Sequence, residues 1–214
     1  MGDAPKSKEK APVEPNVFND GSLKNSVCQW WSAGGIGVWW PDRNLTQDPL
    51  NEIERNLVAM VSNKGVMLST ALLGHRASST RAELGAGIAA MLADKPTHQA
   101  TDSMAYLLKA KSILKGEKPR KPYNIIPDGD LWDWFARLVQ AKGPEAVQLS
   151  KVKGHATDEM VNQGKVKKEH KEGNDASDEA ADIGGAATWN SFPRNLNLLR
   201  GKAKGRWRVH EASP

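Results

Sequence analysis

The stretch STRAELGAGIAAMLAD, residues 79–94, sets Leu84, Ile88, Met91 and Leu92 along one apolar stripe at helical spacing. Small Gly85, Ala86, Ala89 and Ala90 border the stripe, so the helix can approach a supporting sheet closely. HQATDS (98–103) reads as a short strand, and MAYLLKAKSILKG (104–116) as a second helix carrying Met104, Leu107, Leu108 and Leu114. A Pro-rich connection, GEKPRKPYNIIPDG (116–129), leads into an aromatic helix, DLWDWFARLVQAKG, with Gly143 and Pro144 as stop signals. The strand AVQLSKVKG (146–154) and the helix NDASDEAADIGGAA (174–187) follow.

Upstream the pattern changes from alternation of strands and helices to strands alone. NVFND (16–20), GGIGVWWP (34–41) and GVMLSTALLG (65–74) read as strands rich in β-branched and aromatic residues. NEIERNLVAMVSNKG (51–65) stays open, because Leu50, Ile53, Leu57 and Met60 fit a helical face while NLVAMVS before NKG fits a hairpin arm. Hairpin-linked strands followed by alternating helices predict an α/β architecture, a five-stranded mixed sheet flanked by helices.

A chain of 214 residues suits one folded domain, here expected over 16–188, with a disordered tail (1–15) and a basic C-terminal appendage (189–214). With 39% hydrophobic and 26% charged residues it is neither collagen-like nor a membrane bundle, and no apolar run approaches the ~20 residues a bilayer span requires. No membrane partner is expected. The N-terminus lacks the apolar core of a secretory signal, and the single Cys28 can form no internal disulfide, consistent with an intracellular, cytoplasmic or nuclear location. The formal charge of +5 is concentrated in GKVKKEHKEG (164–173) and RGKAKGRWRVHEASP (200–214), segments suited to a polyanion.

Four acidic residues mark strand ends or early helix turns. Each has a plain alternative: Asp20-Gly21 as a hairpin turn, Thr80 and Glu83 as a capping box, Asp102 as an N-cap, and Asp178 as one acid among several near a helix start. Their joint placement is where an open α/β sheet gathers a site. Phosphodiester hydrolysis by paired divalent ions requires such hard oxygen ligands, and a histidine titrates near neutrality as a proton carrier.

NDGS, GGIGVWW, STRAELGAGIAAM, TDSMAYLLKA, DLWDWF, VKGHA and GNDASDEAAD occur in that order between residues 17 and 185, and in this the chain resembles ribonuclease H of type 1, including the domains attached to retroelement reverse transcriptases. The resemblance implies a ribonuclease H-like fold and a metal-dependent endoribonuclease cutting the RNA strand of RNA/DNA hybrids, leaving 5′-phosphate and 3′-hydroxyl ends. It implies Asp20, Glu83, Asp102 and Asp178 as ligands of two Mg2+ ions, with Mn2+ as a substitute, and Asp175 as the competitor for the fourth place. His155 in VKGHA corresponds to the family's mobile histidine, and Asn174 to a polar helper. Gly21, Ser22, Asn25, Ser79 and Thr80 are the expected contacts to the RNA strand, whose 2′-hydroxyls distinguish it. The tryptophans at 30, 31, 39, 40, 132 and 134 are candidates for the other strand, with core burial as the competing fate. The implied context is a monomeric domain, alone or within a reverse-transcriptase polyprotein. A non-cleaving hybrid-binding module and a resolvase- or integrase-like DNA nuclease are the alternatives.

Three departures accompany the resemblance. Ser79 and Thr80 stand where many members carry amide side chains. The segment after Asp102 is short for a full basic protrusion, leaving KGEKPRK (115–121). An insertion, TDEMVNQGKVKKEHKE (157–172), brings Lys165, Lys167, Lys168 and Lys171, with His170 as a rival to His155.

Overall fold

The computed structural model describes residues 9–24, 32–72 and 78–186. Its strands are β1 (Val17–Lys24), β2 (Ala33–Pro41), β3 (Val58–Ser62), β4 (Gly65–Leu72), β5 (Thr97–Thr101) and β6 (Val147–Lys151). Its helices are α1 (Ser79–Ala90), α2 (Met104–Leu114), α3 (Gly129–Lys142), α4 (Asp158–Asn162) and α5, which covers 168–186. The sheet order is β3-β4-β2-β1-β5-β6. β1, β2, β4 and β3 pair antiparallel, whereas β1–β5 and β5–β6 pair parallel, so the sheet is mixed as expected. It has six strands rather than five.

The sixth strand comes from the ambiguous 51–65 segment. Only its start is helical, a 3-10 turn at Glu54–Asn56, where Asn51 and Glu54 exchange backbone-to-side-chain hydrogen bonds of 2.9 and 3.0 Å. Arg43 then fixes Glu54 with bonds of 2.6 and 3.0 Å, and neither side chain is more than 2% exposed. The turn ends at Leu57, whose backbone is extended at φ −87° and ψ 155°, and 58–62 pairs with β4 as an edge strand. Met60 and Val61 remain exposed there.

Alternation along β2 divides the layers. Ile36 and Val38 face α1, whereas a Cβ at Gly37 would overlap the Ser177 carbonyl of α5, so only glycine lets α5 lie this close. The larger core lies on the α1 side: Leu84 and Met91 meet Tyr106, Leu107, Trp132, Phe135 and the β6 residues Val147 and Leu149. Tyr106, Trp132 and Phe135 pack with ring centroids 5.9–6.2 Å apart. Trp132 and Trp40 are therefore core, Trp39 is half-buried, and Trp134 is 62% exposed. Trp30, Trp31, Cys28 and the appendage at 189–214 lie outside the described residues.

Two other boundaries differ from expectation. The last helix starts at 168 rather than 174, because the insertion is itself helical. Thr157 caps α4, Gly164 turns the chain at φ +68°, and the i,i+4 pairs Lys168–Glu172 and Lys171–Asp175 support the added turns of α5. Within the segment expected as a tail, Ala11 N–H donates to Glu145 and the Pro12 carbonyl meets the His98 ring at 3.0 Å. Among the described residues no helix is long and apolar enough to cross a membrane.

Candidate active site

β1, α1 and β5 each bring one acid to a common point. Asp20, Glu83 and Asp102 offer carboxylate oxygens that all lie within 4.8 Å of one another. The plain alternatives for these residues are not what the structure forms. Asp20 lies inside β1, opposite Gly37, rather than in a turn. The cap of α1 is Ser78, whose hydroxyl accepts the Arg81 N–H at 3.0 Å, so Thr80 and Glu83 make no capping box. The cap of α2 is Ser103, not Asp102. None of the three acids therefore serves as a turn or cap residue.

Their electrostatics follow from crowding. Burial, reinforced by Asp102, pushes the Asp20 carboxyl up to about 7, although the Gly21 N–H donating at 2.7 Å opposes the shift. Burial and the charges of Asp20 and Asp102 push Glu83 up to about 9. Glu83 Oε2 is buried with no hydrogen-bond partner among the described residues. Gathered acids that resist ionisation, one of them with an orphaned oxygen, fit a hard divalent cation, which would restore the ionised form and use the free lone pairs.

Asp178, on α5, stands outside the group of three, yet its charge is felt by Asp20. Burial and Asp182 raise its own pKa, while His155 draws it down. Asp175 instead holds Lys171 at 2.8 Å on the surface. Asp178 is thus the α5 acid whose charge reaches Asp20.

His155 is exposed, with a positive φ of 49°, on the loop after β6. A Cβ at the neighbouring Gly154 would overlap the Asp102 carboxylate, so glycine is what lets this loop close over the acid. His170 is half-buried and meets Phe18 edge-on at 6.3 Å.

The expected nucleic-acid contacts are placed unequally. Ser79 is exposed and Thr80 half-buried in the first turn of α1. Gly21 lies beneath α1, where a side chain would overlap Ala82 and Glu83. Ser22 donates to Asp182 at 2.6 Å, and Lys24 pairs with the same carboxylate. Asn174 is only 3% exposed. Asn25 lies outside the described residues. Sequence reasoning did not single out Lys151 or Lys153, although both belong to the strand and loop leading to VKGHA. Lys151 donates to the Asp102 carbonyl.

Solved structures with similar folds include the RNase H domain of PFV, at 20% identity over 80% of this chain and 93% of that one, with a TM-score of 0.50. The protease-reverse transcriptase of prototype foamy virus matches at 20% identity and TM-score 0.50, covering 85% of this chain. This chain spans only 22% of that protein's length. LC9-RNase H1, a type 1 RNase H with the type 2 active-site motif, matches at 18% identity, with 84% and 76% coverage and a TM-score of 0.50. No protein-family model matches, and no curated protein does. At these identities the likeness is one of fold: the chain has the ribonuclease H fold, with a six-stranded mixed sheet.

Proposed function

We propose that this protein is a metal-dependent endoribonuclease that hydrolyses the RNA strand of RNA/DNA hybrids. The observation that carries the reading is the convergence of Asp20, Glu83 and Asp102 within 4.8 Å on a ribonuclease H fold. These three, with Asp178 as the fourth, would hold two Mg2+ ions, or Mn2+ in their place. Divalent ions bound there supply Lewis-acid activation of water and neutralise charge on the phosphate.

The chain's own groups divide the remaining work. Glu83 and Asp20, both held back from ionising in the metal-free fold, would give up their protons on holding a cation. His155, exposed and within electrostatic reach of Asp178, carries protons to and from the reacting face. Ser79 and Thr80, at the open end of α1, are the side chains best able to read 2′-hydroxyls of the RNA strand. Cleavage in this arrangement leaves a 5′-phosphate and a 3′-hydroxyl. The same fold in the foamy virus protease-reverse transcriptase supports a place within a retroelement polyprotein; cytoplasm or nucleus is where such a nuclease would act.

A labelled RNA/DNA hybrid incubated with the protein across a Mg2+ titration, beside duplex DNA and duplex RNA, tests the reading. RNA-strand cutting confined to the hybrid, and abolished by Asp102→Asn with folding retained, is the expected result. Tight binding without cutting would identify a non-cleaving module. Cutting of duplex DNA would identify a resolvase-like nuclease.

A further inference from the structure

The insertion and the end of β6 enclose a cleft of about 640 Å3 that shares its Asp102 wall with the carboxylate cluster. Lys151, Lys153, Lys165 and Lys167 line it together with His155 and His170, against the single acid Asp102. Lys151 is directed at the Asp102 backbone carbonyl, and Lys167 is held by an exposed pair with Glu14 at 3.0 Å. The ammonium groups of Lys153 and Lys165 have neither an ion pair nor a hydrogen bond among the described residues, and both residues are exposed. Four ammonium groups around one cavity repel one another, and the fold supplies too little negative charge in the cleft to offset them. Burial elsewhere in this protein shows the alternative treatment of a cation: Arg43 is met by two carboxylates.

We propose that this cleft binds the phosphodiester backbone of the strand being cut, receiving the phosphates next to the one at the carboxylates. The inference rests on the nuclease reading above. Two features select backbone rather than bases. The cleft is lined by flexible cations with no tryptophan, tyrosine or phenylalanine on which a base could stack. It is also continuous with Asp102, so a strand whose phosphate reaches the acids must pass the lysines on one side. The insertion is thus a grip built from the α4–α5 turn, standing at the β6 edge of the sheet.

The test is hybrid binding by the full chain without divalent ions, measured against salt concentration, for wild type, Lys153→Gln/Lys165→Gln, and the control Lys64→Gln/Lys95→Gln. Lys64 is exposed at the opposite edge of the sheet, and Lys95 is exposed just before the start of β5, away from Asp102. Each lost phosphate contact removes about 0.9 from the slope of log K against log salt, so the cleft variant should lose about 1.8. At 0.1 M salt that corresponds to roughly 60-fold weaker binding. The control should match wild type, and thermal melts should be alike for all three. An unchanged slope in the cleft variant, or an equal change in the control, overturns the proposal. A wild type that does not bind hybrid overturns it as well. Because no cutting is involved, the two readings separate: altered slopes with no Mg2+-dependent cleavage would reject the nuclease reading and keep the cleft, and cleavage with unaltered slopes would do the reverse.

Discussion

Replacing Glu83 by Gln and melting both proteins in EDTA from pH 5 to 8 isolates the electrostatic cost of the carboxylate cluster. In the folded protein burial, then Asp20 and Asp102, hold the Glu83 pKa at about 9. In an unfolded chain a glutamate titrates at about 4.3. Above that lower value the unfolded chain has released a proton that the folded state retains. The stability carried by this group is therefore complete at acid pH and declines as pH rises toward the folded value. One retained proton amounts to about 1.4 kcal/mol per pH unit, an upper bound of about 4 kcal/mol over three units. For a domain of this size each kcal/mol shifts Tm by about 2–4 °C, so wild type should fall behind the Gln variant by on the order of 10 °C at pH 8. At pH 5 the gap should be smallest. His98, held by burial below its ordinary 6.5, acts in the opposite direction near pH 6, but it does so in both proteins and cancels in the difference. Mg2+ added at pH 8 should raise the wild-type Tm more than that of the variant. A difference between the two proteins that stays flat across the pH range refutes the crowded-acid account.

Three further outcomes follow from particular contacts. Glu54→Gln removes one of the two carboxylates that face the buried Arg43 guanidinium, Asp48 remaining at 3.1 Å, and should cost about 1.5–3 kcal/mol in urea denaturation. Gly154→Ala drives a methyl into the Asp102 carboxylate; hybrid cleavage should fall by about 100-fold while circular dichroism stays native, because displacement at a reacting centre is penalised far more than in packing. Tyr106→Phe leaves Gln99 Oε1, now bonded at 2.7 Å, without its donor in the core, and should lower unfolding free energy by about 1–3 kcal/mol.

What could be read from sequence was what is written locally. The apolar stripe at Leu84, Ile88 and Met91 and the strand-helix alternation after it are periodic, and the structure follows them. The acids Asp20, Glu83 and Asp102 were legible because ordered motifs surround them, and they do converge. What escaped depends on partners distant in the chain. A strand competes with a helix over 51–65 on pattern alone, and the ladder that 58–62 forms with β4 is the contact that separates them. Ser22 looked free for nucleic acid because nothing near it reveals Asp182. The early start of α5 was hidden by its lysine-rich composition, which describes a solvated loop and a solvated helix equally well. Asp178 lies outside the tight group of three, but its charge acts on Asp20.

The parallel pairing of β1 with β5 has a consequence for the order in which the acid cluster is assembled. Asp20 leaves the ribosome with the first strand and Glu83 with the first helix, but neither has its third companion until β5 docks beside β1 through Val17–Gln99 and Phe18–Ala100. Such a non-local closure is slow compared with hairpin formation, so the antiparallel β2–β4 portion can assemble first with the acids still dispersed. The cluster of three acids therefore forms in one step, when β5 is seated beside β1.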